Sequence, residues 1–544
     1  MGDIANPTDL AWHRRHGEKP WPPWLRGFRK PQLDAAQQIV DAYEHGAEVV
    51  LLDAPTGSGK TLIAEMVRRL LGERSVYVCT TKTLQDQVLQ DYGYAQVLKG
   101  RGNYPTQRRR DLTAADCTGR DCMWCDDPQM FNCPYRNAKR RALAAPIGVL
   151  NTSYAILEWN HVGGFSGRGF VVVDEADLLE GLLLRHEELR VTERQRQALE
   201  VEELKKGTQA KTVAAWLQQV AEAAETAANK IISTEPEVLR QKQTWERLAV
   251  RSGQVAEQIR EEWGVWVRDY DERAALILKP TRVDDVAGEL LWQHGQRWLL
   301  MSGSFVSCQE QALSLGLERE GIPWERVSVP MTFPPENRRI YLMGVAHVTR
   351  SEGSKAERKV AEAVKWLVKT GPYRRVLVHA VSYKLTRVIV GELLSGRPRG
   401  VRRGLQPPQQ GDGMEVLWYF EADERQRALD GFTRAGDENG KRVLVAPSLD
   451  RGVDLPGELC DAVIVAKLPY PSLGDKQVAA RLYENGGRVW YAVQVARSLL
   501  QMTGRGVRSE DDQCDTYILD KEFETWWRSS GRDLMPRWWK EALR

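Results

Sequence analysis

The chain has 544 residues, enough for about three to five domains at roughly 100–200 residues each. Hydrophobic residues make up 42% and charged residues 28%, ordinary globular proportions that exclude a mainly disordered or fibrous protein. Lys and Arg total 77 against 74 Asp and Glu, a net charge of +3, so a polybasic coat is excluded while basic grooves on a balanced surface are not.

No apolar run approaches the roughly 18–20 residues of a membrane span, so no membrane association is expected. The N-terminus, MGDIANPTDLAWHRRHGEKPW, has no apolar h-region, so no secretory signal and a cytoplasmic location are expected. Residues 1–28 are rich in Trp, Pro and Arg and read as an irregular lead-in. A helical pattern covers 31–45. The apolar run 48–54 then reads as a buried parallel strand, followed by a helix at 61–71, a strand at 75–81 and a helix at 84–92. Residues 100–142 break this rhythm, being basic, Cys-containing and irregular. Strand signals return at 148–151 and 169–174. Residues 185–280 read as helical, charged and alanine-rich, with no convincing strand. A strand and turn follow at 298–304. A second series begins near 338: a strand, a helix at 356–370, a strand at 374–380 and a helix at 383–394. A Pro/Gly/Arg-rich loop at 395–413 precedes strands at 442–447 and 461–469. The alternation predicts α/β, doubly wound parallel sheets.

APTGSGKT (54–61) sits between a strand and a helix. A strict phosphate loop has Gly where Ala54 stands. The rest fits: Pro55, Thr56, Gly57, Ser58 and Gly59 form a loop whose N–H groups can face a phosphate. Lys60 can reach the β/γ-phosphates, and the Thr61 hydroxyl can ligate Mg²⁺. VVVDEAD (171–177) ends a strand in two carboxylates at the edge where ligands of such sheets bind. That arrangement suits Asp174 as a Mg²⁺ ligand and Glu175 as a general base for water. An Asp-Glu pair also suits a helix N-cap; the phosphate loop decides between them. Gln501 and TGRGVR (503–508) supply cations for a transferring phosphoryl group, with Arg505 and Arg508 expected on one face of a helix.

The cysteines Cys117, Cys122, Cys125 and Cys133 form a compact thiolate set, suited to a [4Fe–4S] cluster or a structural zinc. The first three also follow the spacing of plant-type [2Fe–2S] ferredoxins, so spacing leaves the metal open. Arg108, Arg109, Arg110, Arg120, Arg136, Lys139, Arg140 and Arg141 surround the set and suit either phosphate binding or a solvated surface. Aromatic residues beside cations, including Tyr135, Trp159, Trp526 and Trp539, can stack on unpaired bases, although packing is the commoner use of such residues.

In this order the motifs resemble superfamily 2 helicases and, more narrowly, the DinG/XPD-like iron–sulfur DNA helicases. The segment Arg29-Lys-Pro-Gln32 resembles an adenine-reading element, CTTKTLQDQ (79–87) motif Ia, LLMSGS (299–304) motif III, LDRGVDLPG (449–457) motif V and QMTGRGVR (501–508) motif VI. The resemblance implies two RecA-like motor domains. The first is divided as 29–99, 146–184 and 283–328 by a cysteine-containing insertion at 100–145 and a helical, arch-like insertion at 185–282; the second spans 329–544. It implies ATP held by Gln32, the phosphate loop, Asp454, Gln501, Arg505 and Arg508, with Asp177, Ser302, Ser304 and Gln501 coupling hydrolysis to motion. It favours a [4Fe–4S] cluster over zinc, with Thr81, Lys82, Arg108, Arg109, Arg140 and Tyr135 against DNA. The implied function is a monomeric, ATP-dependent 5′→3′ DNA helicase acting on single-stranded DNA, on forked or tailed duplexes and on RNA–DNA hybrids. The rivals are a translocase that remodels bound structures without processive unwinding, and a DNA-binding adaptor with an ATP switch.

Overall fold

Short runs of β-branched and apolar residues, buried on both faces, build two parallel sheets. In the computed structural model the residues described are 4–5 and 20–544, less 107–111, 118–132, 206, 234, 262, 272, 350–351, 395–408, 412–413, 435–439, 450–454, 456 and 508. The first lobe's seven-stranded sheet has the order Trp324–Ser328, Val49–Asp53, Arg297–Ser302, Phe170–Asp174, Ser75–Cys79, Ile147–Asn151 and Gln96–Val97. Every pairing in it is parallel. Val50, Leu52 and Val172 pack to one side of the sheet, and Leu51, Val171 and Val173 to the other. The parallel register brings the ends of Val49–Asp53 and Phe170–Asp174 to the same edge of the sheet, where Asp53 and Asp174 flank Ser302 and Met301.

The second lobe repeats the architecture. Its sheet has the order Ile340–Ala346, Asp515–Asp520, Ala462–Val465, Arg375–His379, Lys441–Ala446, Met414–Trp418 and Gln409–Gly411. Only the terminal pair of strands is antiparallel. The two sheets are the RecA-like layers expected, with helices on both faces.

Three expectations need correction. The stretch read as strand-free at 185–280 contains a three-stranded antiparallel sheet of Leu189–Thr192, Ala274–Pro280 and Trp266–Asp269. Its fully buried Leu276 and Leu278 share a core with Val213 and Leu217 of helix Ala210–Asn229 and Val255 of helix Pro236–Glu261. Two strands are four residues long and pair over a long sequence gap, so the helical composition between them masked the signal. The irregular reading of 100–142 also missed helix Pro134–Ala144, which buries only Ala138 and Ala142 and so has little periodic apolar signal. Finally, helix Gly487–Thr503 stops before the arginines expected on it. Gly504 caps it with an N–H bond to the Leu500 carbonyl, and Gly506 lies so tightly against Cys514 that an added Cβ would come within 2.4 Å of its sulfur.

The helices and three-stranded sheet between Leu189 and Pro280, with the residues beside them, touch their neighbours on both sides. Arg240 pairs with Asp116, one residue before Cys117, at 2.5 Å. Arg282 pairs with Glu484 of the second lobe at 3.2 Å, and Gln477 donates to the Pro280 carbonyl. Trp526 and Trp539 are 3% and 1% exposed in the second lobe's core, so these two pack rather than stack on bases. Trp539 also donates Nε1–H to the Thr503 hydroxyl at 2.9 Å, which fixes the end of helix Gly487–Thr503. Trp159 is likewise buried, against Trp298. Among the described residues no helix is long and apolar enough to cross a membrane.

Candidate nucleotide site

The phosphate loop is shaped by backbone that only glycine adopts freely. Gly57 and Gly59 have φ of 79° and 83°, and a Cβ at Gly59 would lie 2.4 Å from Gln32 Nε2. Helix Lys60–Leu71 starts at once, so its unpaired N–H groups and positive dipole end face the loop. Two side chains brace the loop from behind. Gln32 accepts from Arg29 N–H at 2.9 Å and donates to the Ser58 carbonyl at 2.9 Å, while Arg29 Nη2 donates to the Gly57 carbonyl at 2.7 Å. Both ends of the Gln32 amide are therefore directed at local backbone. Lys60 Nζ lies 3.5 Å from the Ala54 carbonyl, across the base of the loop.

Asp174 ends its strand in a buried position. Tyr77 donates to Asp174 Oδ2 at 3.0 Å and its hydroxyl is also hydrogen-bonded with Thr61. The Glu175 N–H donates to the other carboxylate oxygen, Oδ1, at 2.9 Å. Burial pushes the Asp174 carboxyl up, and the charge of Lys60 opposes that shift. Thr61, Asp174 and Lys60 thus form one cluster with Tyr77 beneath it, a chemistry suited to Mg²⁺ and triphosphate oxygens. Tyr77 was missed by sequence reasoning, because a tyrosine inside an apolar strand carries no local sign of its partner. Glu175 sits in a left-handed turn at φ 52°, uncommon for a residue with a side chain and a recurring feature of functional turns.

From the acidic segment a chain of side chains crosses to the second lobe. Asp177 accepts from the Ser302 hydroxyl at 2.7 Å and from the Ser304 hydroxyl at 3.1 Å. Gln501, on helix Gly487–Thr503, donates Nε2–H to Ser304 Oγ at 2.8 Å. The structure therefore brings together Asp177, Ser302, Ser304 and Gln501. A cavity opens at this seam between Thr56 and Gly303 of the first lobe and Arg338, Gln501 and Thr503 of the second. Arg505 is buried in the turn beyond the helix, near His379, whose pKa is pushed down to about 3 by burial and then by that arginine. His379 itself is buried, at the end of strand Arg375–His379. Arg508 and Asp454 lie outside the described residues.

The cysteine set is described only at its ends. Cys117 and Cys133 are half-buried; Cys122 and Cys125 lie outside the described residues. Arg101 holds the two ends together, donating to the Cys117 carbonyl at 2.9 Å while its guanidinium lies 5.9 Å from the Tyr135 ring centre, two residues past Cys133. The exit helix is anchored by Arg168, which donates to the carbonyls of Ala142, Leu143 and Ala145 at 2.7, 2.9 and 3.0 Å. Among the described residues no group of three or more His, Cys, Asp or Glu is placed to hold a metal.

Of the residues expected against DNA, Thr81 caps helix Lys82–Asp91 by accepting from Leu84 N–H at 3.3 Å. Tyr135 shares a 2.7 Å hydrogen bond with the Tyr154 hydroxyl and packs on Tyr104. Arg140 is exposed and donates to Asn137. Arg108, Arg109 and the side chain of Lys82 lie outside the described residues.

Comparison with known proteins places both lobes. Residues 365–542 match the family described as a helicase C-terminal domain, and residues 26–113 match the res subunit of type III restriction enzymes. Over 144 residues the chain is 24% identical to the ATP-dependent DNA helicase CHL1 of Saccharomyces cerevisiae (strain YJM789) and 21% identical to CHL1 of Vanderwaltozyma polyspora. Those matches span 23% of this chain but 16% and 17% of the two relatives' own length. An XPD helicase structure superposes with a TM-score of 0.61 at 16% identity, over 93% of this chain and 98% of that one. Xpd4 of S. tokodaii gives 0.54 at 14% identity, over 95% and 99%. At such identities the structural likeness is one of fold. The chain thus has two RecA-like lobes, one matching a helicase C-terminal domain over residues 365–542, with a glycine loop on the first and Arg505 in a turn of the second. The fold is that of the XPD helicase structures, and the sequence matches cover part of each lobe.

Proposed function

We propose that this protein is an ATP-dependent DNA helicase that moves 5′→3′ along single-stranded DNA and opens a duplex ahead of it. The observation that carries this reading is the run of hydrogen bonds from Asp177 through Ser302 and Ser304 to Gln501. It joins the acidic segment that faces the phosphate loop to the second lobe, so a change at the triphosphate reaches the other half of the motor. ATP with Mg²⁺ is the expected nucleotide, held by Lys60, Thr61 and Asp174, with Arg505 and Arg508 offsetting charge that builds on the transferring phosphoryl group. Glu175 takes the proton of the attacking water. If closing and reopening of the cleft alter the grip on a strand, each hydrolysis cycle becomes a step.

Strand displacement on duplexes with a 5′ or a 3′ single-stranded tail tests the proposal directly. Unwinding of the 5′-tailed substrate is expected; unwinding confined to the 3′-tailed one would reverse the polarity, and ATP turnover with neither would favour a remodelling translocase. For the insertion we propose that Cys117, Cys122, Cys125 and Cys133 hold a [4Fe–4S] cluster that folds a segment with little core of its own, and that this domain meets the duplex. Anaerobically purified protein is expected to be brown and to contain iron, and Cys122→Ser is expected to lose the colour and the unwinding while single-strand binding by the lobes persists. A colourless wild type carrying zinc would overturn the cluster.

A further inference from the structure

Helix Gly487–Thr503 presents more than Gln501 to the first lobe. Trp490, Arg497 and Gln501 recur at whole-turn spacing, so they share one face. Trp490 donates Nε1–H to Glu180 Oε2 at 3.2 Å, and Arg497 donates Nη2–H to Gln311 Oε1 at 2.6 Å. Gln311 is fully buried and uses the other end of its amide as well, donating Nε2–H to the Ala176 carbonyl at 3.0 Å. Ala176 lies between Glu175 and Asp177. One side chain therefore connects a second-lobe guanidinium to the backbone of the acidic turn, by a route that does not use Ser302, Ser304 or Gln501.

Stability gives little reason for such an arrangement. Arg497 is 2% exposed, and its charge acts on the buried Glu310 carboxyl, which also feels Glu180 and Arg481. Charges buried in a seam are often replaceable by apolar residues of similar volume at no loss of stability. The geometry has a clear mechanical consequence instead. Glu175 is in a strained left-handed turn, so the peptide that follows it is a natural point of reorientation when a triphosphate enters. Rotation there moves the Ala176 carbonyl. Gln311, with donor and acceptor both engaged, must follow it or release Arg497.

We propose that Gln311 and Arg497 form a second relay, parallel to the Asp177–Gln501 route, that transmits the state of the Glu175–Ala176 turn to the second lobe. The relay deepens the helicase reading and rests on it. Neither residue lines the cavity at the seam; both are positioning residues.

The test uses the full chain, with ATP turnover measured alone and with saturating oligo-dT, and affinity measured with a fluorescent ATP analogue. The variants are Gln311→Leu and Arg497→Met, singly and together, and Gln311→Glu. Basal turnover and nucleotide affinity are expected to stay within about twofold of wild type, while stimulation by oligo-dT falls about tenfold, the scale of a typical coupling energy. The double variant is expected to be no worse than either single one, since both break the same link. Its paired apolar side chains keep the seam packed, so a thermal melt near wild type accompanies the loss. Gln311→Glu retains a partner for Arg497 but cannot donate to the Ala176 carbonyl when ionised, so a stable protein with lost stimulation is a result that a purely structural role would not produce. Wild-type stimulation in the double variant, or losses that add, would overturn the relay alone. A wild-type chain indifferent to oligo-dT would overturn the helicase reading and the relay together.

Discussion

ATP turnover by Lys60→Ala is expected to fall by at least about 10²–10³-fold, the scale for removing one preorganised charge from a transferring group. Lys60 opens helix Lys60–Leu71 directly after the left-handed Gly59, so its ammonium and the helix N-terminus converge on one anion site. The substitution also acts on Asp174, the proposed Mg²⁺ ligand. Burial raises the Asp174 carboxyl and the Lys60 charge is the leading influence that lowers it, so Asp174 loses part of what keeps it ionised. A higher Mg²⁺ requirement and weaker nucleotide affinity should accompany the lost turnover. Single-strand binding, measured by fluorescence anisotropy without nucleotide, should be largely intact. Turnover within tenfold of wild type would remove Lys60 from the phosphate site.

Glu175→Gln is expected to slow hydrolysis by about 10²–10⁴-fold, the range for a lost general base. The replacement is isosteric and meets the same left-handed backbone, so the turn and its Asp174 contact should survive. ATP binding should persist, and nucleotide recovered after rapid gel filtration should be intact triphosphate. The lobes would then be held in their closed state, with tight but static binding of a single strand. Normal hydrolysis in this variant would dismiss Glu175 as the base. The two substitutions separate cleanly, because the first weakens nucleotide binding and the second retains bound ATP unreacted.

The phosphate loop and the strand that precedes it were legible because their signals are contiguous. Apolar residues feed a glycine turn, and Gly57 and Gly59 stand where positive φ is needed. The strand Phe170–Asp174 and its terminal carboxylates were legible for the same reason. Less was visible where pairing is distant. Trp266–Asp269 and Leu189–Thr192 are too short to outweigh the helical residues between them, and they become strands because both hydrogen-bond to Ala274–Pro280. Arg505 was placed on a helix because its spacing from Arg508 suited one; Gly504 and the close packing of Gly506 on Cys514 end the helix first.

Local chain chemistry was thus enough for the two α/β lobes, the glycine loop that opens helix Lys60–Leu71 and the acidic strand end, since each depends on neighbours within a few residues. Folding alone decided that Tyr77 supports Asp174, that Gln32 braces the phosphate loop, and that Gln311 meets Arg497 across the cleft. Those partners come from separate elements, and an amide or a phenol has the same appearance in a sequence whether it faces water or a buried carboxylate. What distinguishes the two is the register of the parallel strands and the docking of one lobe on the other.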